Sequence, residues 1–339
     1  MKSHSSAVLA LATACALTAA SPSLAQAPAE FYKGKTLIMV VGFSAGGGYD
    51  AYARLLARHL GRHIPGKPDI IVQNLPGAGS LNAVRQLEAT QPKDGTYITT
   101  FNPALITDSL MNPEKVKFRF ADVAWVGSMT PDVRVCYAWH TAKIANWDEL
   151  KARKEFILGS TAKGTAAYVN GAILQNMFGI KVRQILGFPG GAEQKLALER
   201  GELDGDCGSW SSVPPEWISE KKITPLVSFS PLTSPDLPKE VPFIGTLATT
   251  PEQKDVLDVF ISGGDLGRPY IMSKSVPEDR LKAVREAFDA TMEDAAFLAE
   301  AKKLQLPINA VKGENARAII ERIYKASPEA VAKARQIAE

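Results

Sequence analysis

The segment Thr36-Leu-Ile-Met-Val-Val-Gly-Phe-Ser-Ala-Gly-Gly-Gly-Tyr-Asp50 decides the fold of this chain. An apolar, β-branched run is typical of a buried strand, and here it leads into the glycines at 46–48 and then into an amphipathic pattern. Glycine lets the backbone turn sharply and approach a ligand closely, while a helix start presents unpaired N–H groups and the positive end of a dipole. The segment therefore predicts a strand, an anion-binding loop and a helix in succession.

The first 25 residues have the pattern of a secretory signal. Met1-Lys2 is followed by an apolar stretch at 7–20 and by the small-x-small site Ser23-Leu24-Ala25. A membrane anchor is the alternative, but the apolar stretch falls short of the ~20 residues that a spanning helix needs. We therefore expect residues 1–25 to be removed on export and the mature protein to begin near Gln26.

The composition is that of an exported globular protein. Hydrophobic residues make up 45% of the chain and charged residues 22%, and the formal net charge is +3. So small an excess of positive charge does not indicate a nucleic-acid partner. Even without the signal, the length exceeds the ~250–300 residues at which single cores stop growing, which predicts two lobes.

Short apolar runs alternate with helical patterns along the chain, which predicts βα units. The predicted strands are 36–41, 69–73, 97–101, 133–139, 156–158, 183–186, 205–207 and 225–229, and from Pro277 onward the pattern is helical. Loops rich in glycine or small polar residues follow several strands, at 46–48, 102–104, 159–165 and 187–192. Because ligands of open α/β sheets bind at the carboxyl ends of strands, we expect an α/β fold whose two lobes surround one small anion.

Two motifs around the first glycine loop suggest enzymes. Gly42-Phe43-Ser44-Ala45-Gly46 matches the G-x-S-x-G nucleophile elbow of hydrolases, but no histidine follows His140, where the catalytic order requires one. Gly46-x-Gly48-x-x-Ala51 with Asp69 is a weak dinucleotide fingerprint, and a nicotinamide enzyme is not expected outside the cytoplasm. We therefore expect no catalytic residue and no cofactor.

A metal site is the third alternative. His59 and His63 are four residues apart on a predicted helix, which suits a shared metal ion. No third ligand lies nearby in sequence, and a partial positive charge at these positions complements the dipole at the end of the helix. We therefore expect no metal.

Several short segments are specific as a set. They are Phe31-Tyr32, the loop Gly46-Gly47-Gly48-Tyr49-Asp50 with Ala53-Arg54-Leu55-Leu56, Gln73-Asn74-Leu75-Pro76-Gly77-Ala78-Gly79, Pro92-Lys93-Asp94-Gly95-Thr96-Tyr97, and Gly159-Ser160 through Gly164-Thr165. In this order they resemble the receptor family of tripartite tricarboxylate transporters, also called Bug-type periplasmic solute-binding proteins. The resemblance covers essentially the whole mature chain. It departs from the family at Ser44-Ala45, where prolines are common, at Tyr49, where a small residue is common, and at Leu75, where arginine is usual.

The resemblance implies a two-lobed periplasmic-binding-protein fold, or Venus flytrap, with mostly parallel sheets flanked by helices. Lobe 1 would comprise 26–132 and 266–339, with C-terminal helices that pack on one lobe or across both, and lobe 2 would comprise 133–265. It further implies a monomeric receptor that captures a small organic carboxylate and delivers it to the membrane subunits of a tripartite tricarboxylate-type transporter. A receptor that presents the same acid to a two-component sensor kinase would use the same cleft, so the sequence leaves this alternative open.

The resemblance places the ligand between the lobes, where the loop at 44–50 would face the loop at 160–165. The implied ligand-binding residues are Ser44, Ala45, Gly46, Gly47, Tyr49, Asn102, Ala104, Ser160, Thr161, Gly164, Thr165, Phe188, Gly190 and Arg268. Three or four charge-assisted hydrogen bonds of about 1.5–3 kcal/mol each would supply the ~8 kcal/mol of micromolar binding.

Several of these residues have a second interpretation. Ser160 and Thr165 either donate hydroxyl hydrogen bonds to the ligand or only cap the helix that begins near residue 166. Tyr49 and Phe188 either form apolar walls around the ligand or pack within a lobe. Arg268, at the expected second crossover between the lobes, is either a specificity cation or a brace at the hinge.

The strands that carry Cys136 and Cys207 are expected to be neighbours in flytrap sheets of this type. No other cysteine follows the signal, and the periplasm is an oxidising compartment, so a disulfide is one expectation. Two small buried hydrophobic residues are the alternative.

Overall fold

The computed structural model describes residues 27–339, so the predicted signal peptide at 1–25 lies outside the described residues. Within this range the chain forms eleven strands. They are β1 Thr36–Val41, β2 Asp69–Asn74, β3 Tyr97–Thr100, β4 Ala124–Ser128, β5 Val135–Trp139, β6 Phe156–Ser160, β7 Val182–Leu186, β8 Gly205–Asp206, β9 Ile223–Ser228, β10 Pro269–Met272 and β11 Val311–Lys312.

The strands make two sheets, in the orders β11-β4-β10-β3-β1-β2 and β7-β6-β8-β5-β9. We call each sheet with its flanking helices a lobe, the first and the second. The predicted two-lobed α/β fold is confirmed. The sheets are mixed rather than mostly parallel: β1 pairs in parallel with β2 and β3, and β6 with β7 and β8, whereas β4, β5, β9, β10 and β11 pair antiparallel. Parallel neighbouring strands are joined by a crossover connection within one lobe. The chain instead reaches β5 and β10 from the other lobe, so these two strands are free to run antiparallel to their neighbours.

The described helices flank both sheets. They are α1 Pro28–Tyr32, α2 Gly48–Leu60, α3 Leu81–Ala89, α4 Ala104–Met111, α5 Pro113–Val116, α6 Trp147–Ala152, α7 Ala166–Phe178, α8 Gly191–Glu199, α9 Pro215–Ser219, α10 Ile244–Leu247, α11 Pro251–Ile261, α12 Glu278–Glu293, α13 Ala295–Lys303, α14 Gly313–Ile323 and α15 Pro328–Ala338. None of these helices combines the length and the apolar character that crossing a bilayer requires.

Each lobe has its own apolar core. In the first lobe, Met39 of β1 packs in one cluster with Leu55 of α2 and Phe288 of α12, all fully buried. In the second, Phe156 of β6 and Ile173 of α7 occupy the corresponding position. Burying each such side chain contributes roughly 1.5–3 kcal/mol, so the lobes are stable bodies that hold their loops in place.

Two chain segments cross between the lobes and pair with each other. Asp132 N donates to Gly264 O at 2.6 Å, and Gly267 N donates to Thr130 O at 2.8 Å. The C-terminal helices also link the lobes, because α14 packs on β4 of the first sheet while α15 packs on α7 and α11 beside the second. The lobe boundaries at residues 132 and 265 stay predictions.

Cys136 and Cys207 form a disulfide, and their Cα atoms lie 3.8 Å apart. Cys136 lies on β5 and Cys207 directly follows β8, and these strands are antiparallel neighbours, since Tyr137 of β5 pairs with Asp206 of β8. Both cysteines are buried in the core of the second lobe. The crosslink therefore fixes the end of β8, where Asp206 lies.

Candidate ligand site between the lobes

A cavity of about 90 Å³ lies between the carboxyl ends of the two sheets. The first lobe contributes Phe43, Gly47, Gly48, Tyr49 and Asn102 to its lining. The second lobe contributes Tyr137, Thr161, Thr165, Ala166, Ala167, Gly191, Gln194, Lys195, Leu198, Asp206, Gly208, Ser209, Ser212 and Val213. An apolar cavity of about 150 Å³ holds benzene, so a cavity of this size suits a compact ligand.

Three helices begin at this cavity. The first residues of α2, α7 and α8 all line it, and none of the three is capped by the side chain of its own N-cap residue. Thr165, the N-cap of α7, donates its hydroxyl to Ala162 O at 2.8 Å instead. Because the first N–H groups of a helix lack partners within the helix and the dipole is positive there, three such ends favour a negatively charged ligand.

The glycine loop brings the lobes into contact. Gly46 takes a left-handed conformation with φ +82°, which suits glycine, and its N–H donates to Asp50 Oδ2 at 2.9 Å. A Cβ at Gly48 would strike the side chain of Ser212 in the second lobe, whereas one at Gly47 would make an ordinary contact 3.5 Å from Gly191 N. Gly48 thus lies at a place where the two lobes leave no room for a side chain.

Asp50 holds the glycine loop together. Besides Gly46, its carboxylate accepts hydrogen bonds of 2.9 Å from Arg54 Nε and from Asn74 Nδ2. Burial opposes ionisation of this carboxyl, but the hydrogen bonds from Arg54, Gly46 and Asn74 outweigh it and lower the pKa. The charge of Asp50 is therefore used within its own loop and is not offered to a ligand.

Five of the implied ligand-binding residues line the cavity: Gly47, Tyr49, Asn102, Thr161 and Thr165. Ser44, Ala45, Gly46, Ala104, Ser160, Gly164, Phe188, Gly190 and Arg268 do not. These residues do not line the cavity because a loop that reaches a ligand presents only part of its length to it.

Three hydroxyl or aromatic side chains illustrate this. Ser44 Oγ donates to Glu193 Oε2 at 2.7 Å across the lobe interface, and the buried Ser160 donates to Gln184 Oε1 at 3.3 Å. Phe188 lines a neighbouring cavity of about 280 Å³. In this closed arrangement these side chains are therefore not available to a ligand in the central cavity.

Arg268 lies behind the cavity wall. The guanidinium is fully buried and donates to Ser211 Oγ and Ser212 Oγ, both at 2.9 Å. It also sits under the rings of Tyr49 and Tyr52, with Cζ 4.6 Å and 5.0 Å from the ring centres. Arg268 directly precedes β10 of the first lobe, and a cation at this place that is bonded to serines of the second lobe fits the description of a hinge brace.

The sequence analysis missed the charged side chains of the site. Asp206 lies at the carboxyl end of β8, where Oδ1 accepts from Cys207 N at 2.8 Å and Oδ2 accepts from Tyr137 OH at 3.4 Å. Burial raises the pKa of Asp206 to about 6. Lys195 belongs to the face of α8 that also presents Gly191 to the cavity, and burial lowers its pKa. The available signals were the place of Asp206 at a strand end and the four-residue spacing of Lys195 from the start of α8.

The histidine pair is occupied elsewhere. His59 Nε2 lies 2.6 Å from Oε2 of Glu300 on α13, and His63 Nε2 lies 3.0 Å from Oδ2 of Asp294, the N-cap residue of that helix. Within residues 27–339, no three His, Cys, Asp or Glu side chains are grouped closely enough to hold a metal ion.

No established family model matches the sequence. A curated relative from Cupriavidus necator, described as the UPF0065 protein in the gbd 5' region, is 38% identical over 95 residues. That match spans only 28% of this chain and 28% of the relative's own length.

Solved structures share the fold over nearly the whole described chain. BugD, a periplasmic binding protein, is 19% identical with a TM-score of 0.73, and the alignment covers 90% of this chain and 98% of BugD. MatC from Rhodopseudomonas palustris, solved with bound malate, is 17% identical with a TM-score of 0.70, and the alignment covers 90% of this chain and 99% of MatC. The resemblance to Bug-type proteins is therefore confirmed at the level of the fold.

Proposed function

We propose that the protein is a periplasmic solute-binding receptor that captures a small organic carboxylate between its lobes and delivers it to a membrane transporter of the tripartite tricarboxylate type. One observation carries the proposal: three helices from both lobes begin, without side-chain caps, at one cavity between the lobes. The malate bound to MatC, which has the same fold, agrees with a carboxylate ligand.

The chemistry of the cavity is sufficient for binding. Backbone N–H groups at the three helix starts and the ammonium of Lys195 supply charge-assisted hydrogen bonds to a carboxylate. At about 1.5–3 kcal/mol each, three or four of them reach the ~8 kcal/mol of micromolar affinity. Tyr49, which stacks on Phe43 with ring centres 4.8 Å apart, provides an apolar wall for the carbon skeleton.

Binding and closure are coupled in this proposal. The ligand's carboxylate is held by α2 from the first lobe and by α7 and α8 from the second, so all contacts exist only when the lobes are closed. The crossover segments near 130–133 and 266–270 allow the lobes to rotate with little repacking. The ligand thus stabilises the closed surface that a membrane partner recognises.

We assign no catalytic step to this site. In the elbow-like motif, Ser44 donates its hydroxyl to Glu193, a carboxylate on the opposite lobe, and the histidines at 59 and 63 pair with the carboxylates of Glu300 and Asp294. The arrangement therefore binds and orients a solute without an activated nucleophile.

A thermal-shift screen of residues 26–339 against mono-, di- and tricarboxylic acids tests the proposal. A ligand at 100 times its dissociation constant stabilises the protein by ~2.7 kcal/mol, which gives a clear rise in melting temperature. Calorimetry then measures affinity, with and without a chelator. If no carboxylate raises the melting temperature, the site assignment is wrong.

Localisation and transport are tested in cells. N-terminal sequencing of periplasmic material should return Gln26, and recovery of Met1 would contradict export through the predicted signal. Deletion of the gene should abolish uptake of the acid found in the screen. Retained uptake together with loss of a transcriptional response to the acid would favour the sensor alternative.

A further inference from the structure

Asp206 is the one part of the cavity lining that a receptor for simple carboxylates does not explain. A carboxylate that faces an anionic ligand repels it and weakens binding. Yet Asp206 is held at the cavity by two donors, the N–H of Cys207 at 2.8 Å and the hydroxyl of Tyr137 at 3.4 Å. The disulfide at Cys207 fixes the same strand end. The hydrogen bonds and the crosslink therefore hold the carboxylate at a fixed place in the cavity lining.

The hydrogen bonds around Asp206 suit its ionised form. Both named partners donate to the carboxylate, and the bond from Tyr137 is long, which leaves acceptor capacity on Oδ2. Since burial raises the pKa of this carboxyl only to about 6, it is ionised at pH 7.5. A further cationic or donating group inside the cavity would therefore stabilise this anion, because a buried charge is favoured when it is paired as well as hydrogen-bonded.

The remaining charges do not provide that partner in full. Lys195 is the other charged side chain of the lining, and its charge acts on the Asp206 carboxyl and lowers its pKa without cancelling the effect of burial. Behind the wall, Arg268 is bonded to serines and lies 4.0 Å from Asp132. The lining thus holds one positive and one negative charge, which complements a ligand with one of each.

We propose that the cavity selects a compact amino carboxylate, whose carboxylate lies at the helix starts and Lys195 and whose ammonium group donates to Asp206. This inference rests on the proposed carboxylate receptor and narrows its ligand class. The volume of about 90 Å³ agrees with a ligand of few non-hydrogen atoms. A carboxylic acid of the same skeleton without the amine leaves Asp206 unpaired and should bind more weakly, by about tenfold to a hundredfold.

Calorimetry at pH 7.5 on residues 26–339 tests the proposal with matched pairs: L-alanine against propionate, and L-aspartate against succinate. At least one aminated acid should bind ten times more tightly than its partner. The Asp206→Asn variant should lose this preference while its affinity for the deaminated acid changes by less than about threefold or improves. The Lys195→Met variant should weaken both members of a pair.

Asp204→Asn is the control, because Asp204 lies two residues away, accepts from Ile157 N at 2.9 Å and does not line the cavity. It should retain the preference. Equal or tighter binding of the deaminated acids by the unaltered protein would overturn the inference and leave the receptor proposal standing. An unchanged preference in Asp206→Asn would overturn the assigned contact. Failure of every acid to bind would overturn both proposals together.

Discussion

Ser44 Oγ donates a hydrogen bond of 2.7 Å to Glu193 Oε2, and this bond joins the glycine loop of the first lobe to the first turn of α8 in the second. The backbone N–H of Ser44 adds a second link, to Pro189 O at 3.3 Å. Both links cross the interface between the lobes. They therefore contribute only to the closed state, which is the state that holds a ligand.

Ser44→Ala should weaken ligand binding without affecting the stability of either lobe. Loss of one charge-assisted hydrogen bond that exists only after closure should cost about 1–2 kcal/mol, or roughly fivefold to thirtyfold in affinity. Calorimetry measures the affinity, and Ser44→Thr, which keeps the hydroxyl, is the matched control. If the alanine variant binds as tightly as the parent protein, the bond does not contribute to closure.

Gly48→Val should block closure. A Cβ at Gly48 would collide with the side chain of Ser212, and 3.3 Å from it lies Arg268 Nη2, which is itself tied to that serine. Overpacking of this kind costs about 1–3 kcal/mol, which is roughly fivefold to a hundredfold in affinity. Small-angle scattering should show that ligand compacts the parent protein but not the variant.

Gly47→Ala is the control for that experiment, because its Cβ would make an ordinary contact 3.5 Å from Gly191 N. The two glycines are adjacent, so they share the loop and the exposure to ligand. Equal losses of affinity in the two variants would show that the loop's general flexibility matters and not the approach to Ser212.

Most of the fold could be predicted from the sequence because the central strands are apolar runs followed by glycine loops. The prediction placed β1 at its observed bounds and β6 from its first residue. It missed β4, β10 and β11, since β10 begins with proline and β11 has only two residues. Such strands are recognisable only from their neighbours in the sheet.

The candidate site was predicted only in part, for a related reason. A glycine loop before a helix is a local sequence pattern that predicts an anion site. Two residues of such loops, Gly47 and Thr165, do line the cavity. The positions of Asp206 at a strand end and of Lys195 near a helix start are weaker signals, because charged residues at such positions are usually solvated. Their role depends on the packing of β8 and α8 against the opposite lobe, which local sequence does not encode.

The disulfide should be present in the exported protein and should stabilise the second lobe. Cys136 and Cys207 are 71 residues apart in sequence, and a loop of this size corresponds to roughly 4 kcal/mol of stabilisation in the chain-entropy description. The Cys136→Ala/Cys207→Ala double variant should therefore melt at a clearly lower temperature. Thiol titration in denaturant should find no free thiol in the periplasmic protein, and two free thiols there would refute the crosslink.

Asp206 should make the ligand-free protein less stable as the pH rises. Its pKa in the folded state, about 6, lies above the ordinary value of 3.8, so the folded protein binds the proton more tightly than the unfolded chain. Stability is therefore lost as the pH rises from about 4 to about 6. Asparagine does not titrate, so the Asp206→Asn variant avoids this loss. The difference in free energy of unfolding between the variant and the parent protein should therefore be about 2 kcal/mol larger at pH 7.5 than at pH 4.5.

Urea denaturation at the two pH values measures this difference. Asp204→Asn again serves as the control, since it removes a carboxylate from the same segment without touching the cavity. A gain that is the same at both pH values would mean that the carboxyl of Asp206 ionises without a penalty in the folded protein.

Arg268→Met should separate the two roles left open for this residue. As a hinge brace, the guanidinium links Ser211 and Ser212 to the first lobe and supports the Tyr49 ring, so its loss should destabilise the ligand-free protein by about 3 kcal/mol and also weaken binding. As a direct ligand contact, it would affect affinity and leave the melting temperature of the free protein unchanged. Melting and calorimetry on the same sample distinguish these outcomes. We expect the first, because the buried guanidinium already has its partners in the closed protein and lies behind Tyr49 rather than in the cavity lining.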